Sequence, residues 1–397
     1  MRSRNASLGV LDQGLSSLTN FLFVILVARV STTTEFGEIA LAIAWCQLAM
    51  GLGQEAVSQT HLVHGERSLQ GARGALGASI LLGAVIALPG IAVLAAFGSA
   101  WPGYAIVACL PILLLQDCLR FVFVREGLAH RAIISDSVWL AVVLAFLVGG
   151  YLDSTGSVTL AWLAGAAVAT LAALWSAAVL PSFSQALRWH GHHARVAWRN
   201  AVEFGLLSGA SQVAMLVVGK VAGLAAIGAL RGASTLFGPI NVLLLSMRLV
   251  LLPRLADNRA VLRRSVAGAG LFALMATALW SGLLLVLPDS IGSALLGPTW
   301  PTAHALVFPF AVQYLGLAVY AVAFLGLKAL DRRRSTLQVR VWFAAMTVSC
   351  ATAGAAVAGA TGAAWGLAVA GFFAAGLAVF HFLVQDRAPA SPRFAQD

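Results

Sequence analysis

Three cations, Arg29, Lys220 and Arg231, stand within or at the edge of long apolar stretches of this sequence. A guanidinium fork binds phosphate oxygens bidentately and an ammonium binds them as a point charge, so such residues have the chemistry to hold a phosphorylated or otherwise anionic ligand. Polar side chains recur nearby at helical spacing. Asp12, Ser16, Thr19 and Asn20 follow i, i+4, i+7, i+8, which places them on one face. Gln47, Gln54 and Ser58 form a second stripe with Glu55 and Gln59 beside it, and Ser208, Ser211 and Gln212 form a third just after Glu203.

The elements that must position these groups are membrane helices. Of 397 residues, 60% are hydrophobic and 10% charged, against roughly 25% charged in a soluble domain. Apolar runs of about 20 residues, enough to cross a core of roughly 30 Å, recur with short breaks. They predict helices near 8–30, 37–61, 74–97, 102–124, 133–152, 157–180, 201–222, 226–252, 265–288, 303–327, 337–358 and 362–384. The alternation of an outer-membrane barrel is absent, and unbroken Ala/Leu/Val/Gly runs satisfy their backbone in lipid as helices. The fold class is therefore an all-α polytopic membrane protein of about twelve spans. The opening "MRSR" before an apolar stretch has the look of a signal peptide, but Asp12, Gln13, Asn20 and the lack of a small-x-small site read as an uncleaved first helix. Cys46, Cys109, Cys118 and Cys350 fall inside spans without CxxC spacing, which reads as packing rather than disulfide or metal chemistry.

The formal charge of +10 raises the question of nucleic acid, and position answers it. With the N-terminus in the cytoplasm, Arg29, Lys220 and Arg231 are the exceptions among 25 Lys and Arg; the rest sit at cytoplasmic ends and loops, and the opposite loops near 98–101, 153–156, 289–302 and 359–361 hold none. That is a positive-inside pattern with both termini cytoplasmic, and it gives no reason to expect a nucleic-acid partner. The stretch 181–200, "PSFSQALRWHGHHARVAWRN", suits a basic helix lying on the inner leaflet, with His190, His192 and His193 as an interfacial titratable group more readily than a metal site.

An internal repeat organises the chain. At an offset of 191, Asp12 pairs with Glu203, Gly14 with Gly205, Ser17 with Ser208, Asn20 with Ser211, Arg29 with Lys220 and Gly37 with Gly228. At an offset of 199, "GSAWP" at 98–102 pairs with "GPTWP" at 297–301, and Gly127-Leu128 with Gly326-Leu327. Each half holds six helices, an even number, so the halves are related by an axis along the membrane normal. The expected domains are a first lobe at 1–180, the linker at 181–200, a second lobe at 201–385 and a tail at 386–397. Trp-Pro serves as punctuation, Trp at headgroup level and Pro in a helix's first turn.

Acids inside spans cost roughly 2.5–3.5 kcal/mol on insertion scales and normally face protein or water, so Asp12, Glu55, Asp117, Asp136 and Glu203 are site candidates. Polar stripes on symmetry-related helices point to a shared aqueous cavity between the halves. Other readings stay open: interhelical hydrogen bonding for the Ser, Thr, Asn and Gln groups, loop arginines as partners of Asp12, Glu203 and Asp136, and snorkelling of Arg29 and Lys220 to headgroups. No phosphate-binding GxxxxGK[ST], HExxH or GxSxG is present, and the external loops are short, so the sequence does not read as an enzyme.

At "LDQGLSSLTNFLFVILVARVSTTTEFGEIAL" and "LLGPTWPTAHALVFPFAVQYLG" the chain resembles the Wzx-like polysaccharide-biosynthesis flippases of the multidrug/oligosaccharidyl-lipid/polysaccharide (MOP) exporter superfamily. The matching elements are Arg29 closing the first helix, then Glu35-Phe36-Gly37, then Gly297, Pro298 and Trp300. The resemblance implies two pseudo-symmetric six-helix lobes around a central cavity lined largely by helices 1, 2, 7 and 8, with alternating access. It implies a polyprenyl-diphosphate-linked oligosaccharide as substrate, flipped to the outer leaflet of the bacterial plasma membrane. Surrounding lipids and a polysaccharide polymerase or glycosyltransferases would be partners. On this reading Arg29, Lys220 and Arg231 hold the diphosphate, and the stripes Ser16, Asn20, Gln47, Gln54, Ser58, Ser208, Ser211 and Gln212 face the sugars. Asp12, Glu55 and Glu203 are then the groups for coupling to an Na+ or H+ gradient, and no other cofactor is implied. Two departures stand out: "VSTTTEFG" lacks the proline often found after the basic residue, and no helix pair follows the twelfth, unlike the lipid II flippases. A cation-coupled multidrug or metabolite exporter of the same superfamily, and a non-transporting scaffold for glycan assembly, remain as alternatives.

Overall fold

The computed structural model describes residues 2–65, 68–207, 209–257, 259–330 and 333–386, and among them the secondary structure is helical throughout. The first half contains α1 (Arg2–Val30), α2 (Thr33–Gly53) continued by a π turn (Gln54–Ser58) into α3 (Gln59–His64), and α4 (Arg73–Ala96). It goes on with α5 (Trp101–Ala108), α6 (Leu110–Arg125), α7 (Ala129–Val148) and α8 (Thr155–Ala177). The connecting α9 is Phe183–Leu207. The second half contains α10 (Ala210–Ala222), α11 (Leu224–Leu236), α12 (Gly238–Asp257) and α13 (Arg259–Leu285). It closes with α14 (Asp289–Leu296), α15 (Trp300–His304), α16 (Val307–Ala329) and α17 (Arg333–Asp386).

Among the described residues, seven helices are long and apolar enough to cross a membrane, and two bent pairs, α5–α6 at 42° and α11 with the start of α12 at 54°, are each long and apolar enough when taken together. With the two shorter apolar segments Gly14–Val30 and Ala210–Ala222, and with the two limbs of α17 counted separately, the twelve segments read from the sequence are all helical. The bends have local causes. Pro111 stands in the first turn of α6, and Gly238-Pro239 opens α12, where a ring without an N–H interrupts the helical ladder. α17 breaks at Ala358 and Gly359, the latter at φ 56°, and folds back on itself.

Helix starts are written locally. Thr32 and Glu35 form a reciprocal capping box on α2, and Ser154 and Ser157 one on α8. The Trp-Pro pairs open α5 and α15 as punctuation, but their tryptophans diverge. Trp300 is buried and donates to Asp289 at 2.8 Å, while Trp101 is exposed.

Large apolar side chains such as Leu88, Leu171, Leu279 and Phe380 cover the outside, the surface a bilayer requires rather than water. Inside, small residues let backbones meet. A Cβ on Gly354 would collide with the carbonyl of Gly362, and one on Gly366 with that of Cys350, so the two limbs of α17 touch along a glycine seam. Gly362→Val should separate them, costing about 1–3 kcal/mol by overpacking; a lower thermal midpoint in detergent is the expected reading.

The halves meet through α2 and α11, and through α1 against α14 and the turn after it. A Cβ on Gly37 would strike the carbonyl of Leu224, and one on Gly228 the carbonyl of Thr33. Thr33 and Leu224 stand at the same offset of 191 as Gly37 and Gly228. Beside them Arg29 packs its backbone against Gly297, and the Thr33 and Thr302 hydroxyls are 3.3 Å apart. The molecule is thus sealed at the end where α1 finishes and α2 begins.

Candidate functional site

A cavity of about 220 Å³ lies inside this seal. α1 contributes Ser16, Asn20, Phe23 and Val24, α2 and its π turn contribute Gln47, Met50 and Gln54, α6 contributes Gln116, Asp117 and Arg120, and Trp139, Trp162 and Arg231 come from α7, α8 and α11. Among the described residues it is walled mainly by the first half, with Arg231 from the second. Among the described residues of α10, which forms most of the seventh expected span at 201–222, none lines this cavity.

One wall is ionic. Arg120 on α6 sets Nη1 3.6 Å from Asp117 Oδ1 and Nε 3.4 Å from Asp136 Oδ2, and donates to Ser16 Oγ at 3.3 Å. Gln116 Nε2 donates to Asp136 Oδ1 at 2.7 Å, and Gln54 Nε2 to Asp117 Oδ1 at 3.0 Å. Asp117 and Asp136 are almost wholly buried and Arg120 is 9% exposed; such charges persist in a membrane core because they compensate one another. Arg120→Gln should leave two buried carboxylates with their cation removed and destabilise by roughly 3–5 kcal/mol. A melt in detergent checks this, with the triple variant Arg120→Gln, Asp117→Asn, Asp136→Asn expected to recover much of the loss.

Gln54 opens the π turn, and the carbonyl of Glu55 next to it accepts from Thr60 Oγ1 at 3.2 Å and from Asn200 Nδ2 on α9 at 3.3 Å.

A second wall is aromatic. Phe23 stacks on Trp162 with centroids 4.7 Å apart, Trp139 tilts against Trp162 at 5.2 Å, and Trp139 Nε1 donates to the Trp162 carbonyl at 2.9 Å. Trp162 Nε1 itself is buried and has no hydrogen-bond partner among the described residues.

Arg231 faces these walls from α11. Its Nη1 reaches Gln47 Oε1 at 3.5 Å, its Nε is buried without a hydrogen-bond partner, and among the described residues it makes no ion pair. An unsatisfied buried donor costs about 1–3 kcal/mol, so orphaned donors in a cavity wall mark where an acceptor on a ligand would bind.

The sequence candidates divide accordingly. Ser16, Asn20, Gln47, Gln54 and Arg231 line the cavity together. Arg29 is exposed at the sealed end, and Lys220 is exposed with its ammonium 5.4 Å from the Phe97 ring centroid, so neither joins Arg231 in this cavity. Ser58 is buried in the π turn, Ser211 is exposed and Gln212 half-buried on α10, all outside the lining. Glu55 accepts from Gln59 Nε2 at 2.9 Å, also outside it. The side chains of Asp12 and Glu203, and Ser208 altogether, lie outside the described residues. Asp117 and Asp136, site candidates as acids within spans, do line or support the cavity, whereas Arg120 falls among the cytoplasmic charges in the sequence count and belongs beside them instead. The available signal is the i, i+3 spacing of Asp117 and Arg120 in "LQDCLR". Among the described residues there is no group of three metal-binding side chains, and His192 and His193 bond the carbonyls of Arg188 and Trp189.

No protein-family model matches the chain, and no curated protein does. Solved structures match along nearly all of it. An inward-facing multidrug resistance MATE family transporter of the MOP superfamily superposes with a TM-score of 0.70 at 14% identity, over 95% of this chain and 98% of the other. The lipid II flippase MurJ in an inward closed conformation gives 0.68 at 12% identity, over 95% and 88%. An outward-facing MATE family transporter gives 0.58 at 14% identity, over 95% and 93%. The chain has the fold of these MOP-superfamily transporters.

Proposed function

We propose that the protein is an alternating-access transporter that flips a polyprenyl-diphosphate-linked oligosaccharide from the inner to the outer leaflet of the bacterial plasma membrane for surface polysaccharide synthesis. The observation that carries this reading is Arg231, a guanidinium in the cavity wall whose partner is a neutral amide and whose Nε has none. A phosphate oxygen satisfies both needs. The aromatic wall of Phe23, Trp139 and Trp162, with amides and hydroxyls around it, offers ring faces and hydrogen bonds of the kind a sugar takes. At about 220 Å³ the cavity falls below the roughly 300–1,000 Å³ of pockets for drug-sized ligands. In this state it would hold the diphosphate and its nearest sugar, not a whole oligosaccharide.

Export of an organic cation is the second reading, and Asp117 and Asp136 favour it. Both carboxylates, however, are engaged by Arg120, Gln116 and Gln54, so a cation would have to displace a buried ion pair. The test is gene deletion with extraction of lipids, measuring prenyl-diphosphate-linked oligosaccharide and surface polymer, then complementation. Accumulated carrier-linked glycan with lost surface polymer, rescued by wild type, is the expected result. Unchanged pools together with heightened sensitivity to organic cations would overturn it in favour of drug export.

A further inference from the structure

The connecting helix α9 presents three different faces. One is docked on the first half: Ala186, Trp189 and Ala197 are buried, Trp189 lies over Gly74, Ala186 over Gly77, and Asn200 donates to the carbonyl of Glu55. A second is apolar and exposed. Phe183, Leu187, Trp198 and Val202 fall within one arc of the helix at spacings i, i+4, i+15, i+19, with Leu187 and Trp198 each 72% exposed. A third, bordering the second along its length, is the exposed stripe Arg188, Arg195 and Arg199 at i, i+7, i+11.

The exposed apolar face continues the lipid-facing surface of α8. Trp175 near the end of α8 is 86% exposed and Leu180 is 68% exposed, and the exposed Phe183 and Leu187 follow within the next seven residues of the chain. An apolar arc flanked by arginines is the pattern of a helix lying in the headgroup layer of an anionic leaflet. The stripe's charge complements phospholipid phosphate, and its continuity with a lipid-facing helix favours a bilayer over a protein as the occupant.

We infer that α9 is an anionic-phospholipid-binding strut: Phe183, Leu187, Trp198 and Val202 insert among acyl chains while Arg188, Arg195 and Arg199 hold acidic headgroups, pressing Asn200 onto the π turn that aims Gln54 into the cavity. This holds whatever the cargo. The test uses the full chain in nanodiscs, with Cys46, Cys109, Cys118 and Cys350 changed to Ala and a spin label at Leu187→Cys, Trp198→Cys or His192→Cys. Labels at 187 and 198 should be open to oxygen and shielded from an aqueous nickel chelate, and the label at 192 the reverse. In parallel, the thermal midpoint of the wild type should rise as phosphatidylglycerol replaces phosphatidylcholine. The combined Arg188→Gln, Arg195→Gln, Arg199→Gln variant should keep its midpoint in phosphatidylcholine but lose most of that rise. Equal nickel access at 187, 198 and 192 would overturn insertion and leave the face to a protein partner; an undiminished rise in the triple variant would overturn headgroup recognition.

Discussion

Replacing Gly37 or Gly228 with leucine should hold the sealed end of the molecule open. Each glycine meets a backbone carbonyl of the opposite half at a distance that leaves no room for a Cβ, and a backbone atom cannot rotate away as a side-chain tip can. Overpacking of this kind costs about 1–3 kcal/mol, and in a transporter the strain can be relieved by parting the halves instead of unfolding them. The population of the sealed state would then fall by roughly 5- to 150-fold. Thr33 and Thr302, whose hydroxyls stand 3.3 Å apart beside the seal, provide the gauge. In a background without the native cysteines, Thr33→Cys with Thr302→Cys should cross-link readily under mild oxidation and stop transport. Adding Gly37→Leu should suppress the cross-link while the protein still melts cooperatively. Undiminished cross-linking would show that the glycines are not what permits closure.

The second large effect is expected at Arg231. Hydrogen bonds to a charged group contribute roughly 1.5–3 kcal/mol, so Arg231→Ala should weaken an anionic substrate by about 10- to 150-fold. Its contribution to folding is small, because its cavity contact is a single 3.5 Å bond to an amide. Transport should therefore collapse at nearly unchanged thermal stability, read as retained carrier-linked glycan in cells at normal protein abundance. Arg231→Lys keeps the charge and loses the fork, and should restore part of the activity. Faster efflux of organic cations from Arg231→Ala cells, with glycan export intact, would instead assign the cavity to cationic cargo.

Much of the architecture is legible in the sequence because membrane helices announce themselves in apolar length, and because matching residues recur at one offset. The pairing of Gly37 with Gly228, read as a repeat, is a contact in space. The cavity is less legible. Arg120 falls in with the cytoplasmic charges because a charge count weighs proximity to a loop, whereas α6 carries it inward to Asp117 and Asp136. The π turn at Gln54–Ser58 has no signature in residue type, and the side chain that bonds its Glu55 carbonyl, Asn200, is 145 positions away. Arg29 and Lys220 share a repeat position with each other but not a cavity with Arg231, because repeat equivalence fixes symmetry and not depth.

The seal between α2 and α11 has the geometry of a homodimer written into one polypeptide. Gly37 faces Leu224 while Gly228 faces Thr33, which is the reciprocal pairing of a twofold, isologous interface. In a dimer of identical subunits every change is made twice; here each side can change alone. The pocket behind it uses that freedom: the first half supplies the buried ions Asp117, Arg120 and Asp136 and the second supplies Arg231, an asymmetric lining behind a reciprocal contact.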